Sequence, residues 1–167
     1  MERLPAEGSG PGRPPIEYRL SRTMDRNGPS NYRLLAAMLS DHLASSASDP
    51  VKTATALGRS WGGAVLDSRP GGKSTKSEAL TRVVDALADL GFQPEPLARP
   101  RATQIRLRHC PFLELVDAHA DVICSLHLGL MQGALGALTG RVTVDRLERF
   151  VEPDLCVAHL ASIGSRS

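Results

Sequence analysis

The stretch PFLELVDAHADVICSLHLGLMQGALGALTG, Pro111 to Gly140, decides the fold. Phe112, Leu115, Val116, Val122, Ile123, Leu126, Leu130 and Leu135 recur at helical spacing, so the segment predicts one long helix with an apolar stripe. Gly129, Gly133 and Gly136 sit on that stripe, where the lack of a side chain lets another backbone come close, and Gly140 supplies the stop. Gly129-x-x-x-Gly133 suits contact with a second protomer or with the helix's own sheet. Alternating segments flank the helix. Thr103, Ile105 and Leu107 alternate with Gln104, Arg106 and Arg108 before it, and Val142, Val144 and Leu147 mark a strand within Arg141 to Arg149 after it. A turn at Glu152-Pro153-Asp154 leads to a last strand from Leu155 to Ala161.

Upstream the pattern is helical. Ser30 or Asn31 caps a helix with Leu35, Met38, Leu39, His42 and Leu43 on one stripe. Asp49 followed by Pro50 opens a second, with Val51, Ala54, Leu57, Trp61 and Val65 along one side. After the polar connector SRPGGKSTKS, Ser77 and Glu78 open a third, which carries Leu80, Val83, Val84, Leu87 and Leu90 and ends at Gly91. Pro94, Pro96 and Pro100 keep the following chain extended. The first thirty residues are rich in Gly and Pro and hold one short alternating piece, Ile16 to Leu20, which needs a partner strand. The expected fold is α+β: three N-terminal helices, then a small antiparallel sheet packed on one long helix. Three parts follow from this: a flexible tail over 1–30, a helical region over 31–92 and an α+β domain over 93–167.

A chain of 167 residues can bury a core of its own without disulfides, and three cysteines, an odd and small number, do not make a disulfide framework. Twenty Lys+Arg against 18 Asp+Glu is too balanced for a protein that coats nucleic acid or a charged membrane surface. Only 4% of residues are aromatic, which argues against base-stacking platforms. No apolar run is expected to reach the roughly 20 residues of a membrane span. The opening MERLPAEGSG holds no apolar secretory segment, so the expected compartment is a reducing cytoplasm.

The thiols carry the chemistry. Cys124 and His127 stand three apart, on one face of the long helix, where a thiolate and an imidazole can share an ion. Cys110 closes the strand before that helix and Cys156 begins the last strand, so a helix lying on the sheet brings all three thiols to one end. Three thiolates and one nitrogen suit zinc in a Cys3His site or an iron–sulfur cluster. Free cysteine is also a common small core residue, which is the plainer reading. GGKST, Gly71 to Thr75, lacks the first glycine and the preceding strand of a phosphate-binding loop. His42, His119 and His159 are isolated, Glu114, Asp117 and Asp121 lie on a polar helix face, and no Ser-His-Asp or Cys-His-Asn spacing is present.

LRHCPF from Leu107, VICSLHLGLMQGAL from Val122 and RFVEPDLCVAHL from Arg149 together resemble the C-terminal sensor region of actinobacterial winged-helix transcriptional regulators, ArsR-like or DeoR-like. Among these the Suf-operon repressors bind an iron–sulfur cluster through cysteines of this region. GPGRPPIEYRLS, Gly10 to Ser21, is similar to the wing and final strand of their winged helix, and YRLLAAMLSDHL, from Tyr32, to their first linker or dimerisation helix. The likeness covers nearly the whole chain but only the last piece of the DNA-binding module, without the recognition helix.

The resemblance implies that Cys110 matches the cysteine of an Asn-Cys-Pro motif, with His109 in place of Asn, that Cys124 matches the helix cysteine and Cys156 that of the last strand. Val157 stands where the family often has a further cysteine, which makes His127 the expected fourth ligand. The expectation is a non-enzymatic sensor and dimerisation domain holding a 2Fe-2S or 4Fe-4S cluster, or zinc, through Cys110, Cys124, His127 and Cys156. Arg13, Arg19 and Arg22 of the wing would touch phosphate, with promoter DNA bound only if a complete winged helix is supplied. A homodimer is expected, with no membrane partner. The alternative is a small-molecule-binding regulatory module with structural cysteines and no metal, and an enzyme with a reactive thiol has the least support.

Overall fold

A computed structural model describes residues 2–4, 17–19, 31–66, 74–95 and 103–164. The chain divides into two compact units, Met1–Tyr32 and Arg33–Ser167. In the first, β1 (Glu2–Leu4) pairs antiparallel with β2 (Glu17–Arg19), so the short alternating piece has its partner in the opening residues. Of the expected wing residues, Arg19 lies in β2, whereas Arg13 and Arg22 lie outside the described residues.

In the second unit, α1 (Tyr32–Ser46), α2 (Pro50–Gly62) and α3 (Lys76–Asp89) precede β3 (Gln93–Pro94), β4 (Gln104–Arg108), α4 (Leu113–Leu138), β5 (Val142–Glu152) and β6 (Leu155–Ser162). The sheet runs β3-β4-β6-β5 and every pairing is antiparallel. The α+β class is therefore as expected, with α4 lying on the sheet and α2 packed along α4. The registers set Leu107 opposite Cys156 and Ala158 opposite both Ile105 and Leu147. Because residues alternate faces, these five share the side of the sheet turned to α4, while Arg106 and Arg108 lie on the other.

Helix α3 follows its hydrophobic period, burying Ala79, Leu80, Val83, Ala86 and Leu87 against Phe92, Leu107, Leu135 and Val142 in the core. Its cap is Thr75, two residues earlier than expected: the hydroxyl accepts from the Glu78 N–H and the Glu78 carboxylate accepts from the Thr75 N–H at 2.8 Å. Those hydrogen bonds hold the Glu78 carboxyl below its usual range. Thr75→Ala should cost about 1 kcal/mol, read as a lower midpoint in thermal melts, because it strips the cap. At the other end the Gly91 N–H donates to Ala88 and the Phe92 N–H to Leu87, a closure that turns the chain at φ +95°, where glycine is favoured.

Two helices depart from the sequence reading. Helix α2 turns Ala54, Gly58 and Gly62 inward and leaves Val51, Leu57 and Trp61 exposed. In α1 the Leu35–Met38–Leu39 stripe is exposed, together with Tyr32 and Leu34, and the buried position is Ser40. Small residues permit a closer approach than the large apolar ones, and α2 uses that approach: Gly58 and Gly62 meet the backbone of α4 at Leu126–Leu130 and Leu130–Ala134, and Gly129 and Gly133 meet Thr55 and Arg59. Gly129 and Gly133 thus pack against α2 and not against the sheet, and Gly136 has open space beside it. Arg59 and Gln132 hydrogen-bond across the same interface, and Gln132 donates on to the Val144 carbonyl at 2.8 Å, which ties α2, α4 and β5 together.

The membrane expectation also needs correction. By length and composition α4 is long and apolar enough to cross a membrane. In the fold its apolar residues, among them Val122, Ile123, Met131, Leu135 and Leu138, are buried in the core of the second unit.

Candidate metal centre

Strand pairing, more than helix periodicity, assembles the site. Cys156 opposes Leu107 on the inner face of the sheet, and Cys110 follows three residues after Leu107. Between β4 and α4 the chain turns through His109, at φ +54°, and its N–H donates to the Asp154 carbonyl at 3.2 Å. Left-handed backbone suits Asn better than His at this position. Cys124 lies on α4 beyond a kink at His119, whose ring stands 3.3 Å from Asp41 of α1.

The result is one cavity of about 110 Å³ at the junction of β4, α4 and the β5–β6 turn. Cys110, Cys124, Cys156 and His127 all line it, with Phe92, Phe112, Ile123, Leu147 and Phe150 among its apolar walls. The expected residues are therefore brought together. All three cysteines are free and partly buried. Burial pushes the Cys110 and Cys124 thiols above their usual range, and repulsion from the neighbouring sulfurs pushes the same way. Opposing this, the Phe112 N–H bonds to Cys110, and the Arg149 guanidinium acts on Cys124 by charge and hydrogen bonding.

His127 is 5% exposed, and its Nε2 has no hydrogen-bond partner. Its ring stacks on Phe92 at a centroid distance of 4.3 Å, and Phe92 meets Phe112 edge-on at 5.6 Å. Burial lowers its pKa to about 4, so the ring is neutral at physiological pH. A neutral imidazole with an unpartnered nitrogen is the form that can ligate a metal.

On the other face of the sheet, Arg108 binds Glu95, Glu152 and Asp154 at 2.8, 3.0 and 2.8 Å, and Arg106 binds Glu95 at 2.7 Å. These bonds hold Glu95 below its usual carboxyl range and fasten the β5–β6 turn, with cavity residues Pro153 and Asp154, to β4. Exposed pairs of this kind add little stability, and their effect is to fix the position of the turn.

The donor set suits thiolate-preferring iron, and the orphaned nitrogen supplies a fourth position. Among the described residues, however, no group of three His, Cys, Asp or Glu side chains is posed to hold a metal ion. Sequence reading missed Phe92, Phe112, Arg149 and Phe150 as site residues. For Arg149 and Phe150 the signal was the loss of alternation after Glu148. No protein-family model matches the chain, and no curated protein is significantly similar to it.

Proposed function

We propose that the chain is the sensor and dimerisation part of a cytoplasmic transcriptional regulator of the winged-helix kind, holding an iron–sulfur cluster through Cys110, Cys124 and Cys156 with His127 fourth. One observation carries this reading: three thiols from three separate elements, and an unpartnered buried imidazole nitrogen, line one cavity. His109 in left-handed backbone, where the resembling regulators have Asn, agrees with it. The exposed Leu34, Leu35, Met38 and Leu39 of α1 are suited to a homodimer contact, and Arg19 of β2, with Arg13 and Arg22 from the sequence outside the described residues, would serve phosphate. In this reading the chain senses and does not catalyse. When bound, a cluster would supply sensitivity to oxidants and to iron supply. The chain's own residues hold its sulfurs in an apolar enclosure and exclude water. Ligation requires the side chains to turn inward from their present poses and so couples loading to the β4, α4 and β6 positions.

Freshly isolated protein, purified without oxygen, should carry iron and absorb in the visible; colourless protein without iron or zinc would sink the reading. Because burial favours the protonated form of the Cys110 and Cys124 thiols, uptake of iron or zinc by them should release protons. Affinity should weaken as pH falls, by roughly tenfold per unit for each thiol that must ionise. Competition titrations at several pH values measure the slope, and a flat profile would exclude ligation by these thiols.

The apolar walls favour a second reading, a small-molecule-binding module with structural cysteines, in which Cys124→Ser would leave folding and binding unchanged. The volume of about 110 Å³ counts against it. Pockets for organic ligands usually begin near roughly 300 Å³.

A further inference from the structure

Helix α4 is made of two parts. The backbone at His119, φ −135° and ψ 37°, is not helical, although LELVDAHADVI around it contains neither proline nor glycine. The break therefore follows from what each part packs against and not from composition. Beyond it α4 is fixed: Leu126, Leu130 and Ala134 meet Gly58 and Gly62 of α2 through their backbones, and Gln132 ties the helix to β5. Before it lies one short piece, residues 113–118, which begins at the thiol cavity. The Leu113 N–H donates to the Cys110 carbonyl at 3.1 Å and the Leu115 N–H to the Phe112 carbonyl at 2.9 Å. Cys110, Phe112 and Leu113 all line the cavity.

Helix α1 is fastened to that short piece and to the break. Arg33 binds Glu114 at 2.9 Å, and Asp41 stands 3.3 Å from the His119 ring. Arg33 and Asp41 are the charged residues of α1, so its charges are turned to α4 while Leu35, Met38 and Leu39 stay exposed. Ser40 is the residue that α1 buries, and among the described residues none of α1 lines the cavity. A helix of 15 residues is marginal by itself in water, so the order of α1 depends on its attachment to α4.

We propose that residues 113–118 and α1 form one arm, hinged at His119, that carries the state of the thiol cavity to the exposed face of α1. Whatever fills the cavity packs on Phe112 and Leu113, holds the arm against the fixed part of α4, and holds α1 with it. This deepens the sensor reading and rests on it for the occupant, although the relay can be tested without metal.

Amide hydrogen exchange on the full chain, read by mass spectrometry, follows α1 and residues 113–119 separately, with α3 as the reference for global opening. The cavity is filled in two ways, by iron and sulfide without oxygen and, with no metal, by Cys124→Leu, whose larger side chain enters from the fixed part of α4. Should Cys124→Leu fail to fold, Cys156→Leu fills the cavity from the sheet. Filling should slow exchange in α1 by about fivefold relative to α3, which is what one exposed ion pair can transmit. In the double variant Arg33→Ala/Asp41→Ala, which keeps helix propensity but removes both attachments, filling should still slow residues 113–119 and leave α1 unchanged. Filling that leaves α1 unchanged in the chain with Arg33 and Asp41 intact overturns the proposal, as does a slowing of α1 that survives in the double variant. If Cys124→Leu slows α1 while the wild-type chain takes up no iron, the relay stands and the cluster reading alone is removed. Iron uptake without any change in α1 leaves the cluster reading standing and removes the relay.

Discussion

Gly58→Ala is expected to destabilise the second unit by about 2 kcal/mol, although alanine is the better helix former by about 1 kcal/mol. A Cβ on Gly58 would come closer than 3.0 Å to the Leu126 carbonyl and the Leu130 nitrogen. Both are backbone atoms of α4, so no side-chain rotation relieves the clash and the helices must move apart. Separation uncovers Ala54 and disturbs α4, which supports β5 through the Gln132 hydrogen bond to Val144. Overpacking costs about 1–3 kcal/mol even where side chains can yield, and a rigid contact lies at or above that upper end. For a chain of this size the net loss corresponds to roughly 6 °C in Tm. Combining Gly58→Ala with Gly129→Ala should cost less than the sum, because one separation relieves both contacts. Gly136→Ala is the control: open space lies beside it, so the helical gain should appear alone and Tm should hold or rise. Melts in which Gly58→Ala and Gly136→Ala rise together would exclude the close α2–α4 contact.

These glycines also explain what was legible in the sequence. In α3 the inward face is made of large residues, Leu80, Val83 and Leu87, and the hydropathy period found it. In α2 the inward face is Ala54, Gly58 and Gly62, which carry weak hydropathy, so the stronger pattern of Val51, Leu57 and Trp61 pointed to the wrong side. The choice between them depends on the glycines of α4, which lie far along the chain (Arg59 and Gln132 of the same interface are 73 residues apart) and in no local window. The same limit shaped the site. Cys124 and His127 were readable as one helix face because their relation is local. That Cys110 and Cys156 join them depends on β4 pairing with β6, which brings Leu107 opposite Cys156 and could be expected only from the drawn fold. Arg149 and Phe150 were invisible for a further reason: they act from a bulge, where the two-residue period that identifies a strand breaks down.

Lowering pH from 7.5 to 5 should remove about 2 kcal/mol of stability through His127 alone. The ring is buried with its Nε2 unpartnered, which holds its pKa near 4 against an ordinary 6.5. The unfolded chain therefore binds this proton more readily than the folded one. Above pH 6.5 the ring is neutral in both states and the folded state keeps its full advantage. As pH falls from 6.5 towards 4 the unfolded state gains the proton first and stability declines. Below 4 both states are protonated and the loss levels off near 3 kcal/mol, about 1.4 kcal/mol for each unit between the two pKa values. Glu95 and Glu148, held below the usual carboxyl range by their arginine and histidine partners, lose their contributions at lower pH, so their effect falls chiefly beneath this window. Thermal or urea unfolding of chelator-treated protein at half-unit pH steps measures the slope. His127→Leu should flatten it between pH 6.5 and 5 while giving up the stack on Phe92, so its stability at pH 7.5 is no guide to the result. A wild-type slope that survives in His127→Leu would place the acid-sensitive group elsewhere. It would also remove the orphaned imidazole from the argument for a fourth ligand, because a ring that titrates normally is one that water or a partner already satisfies.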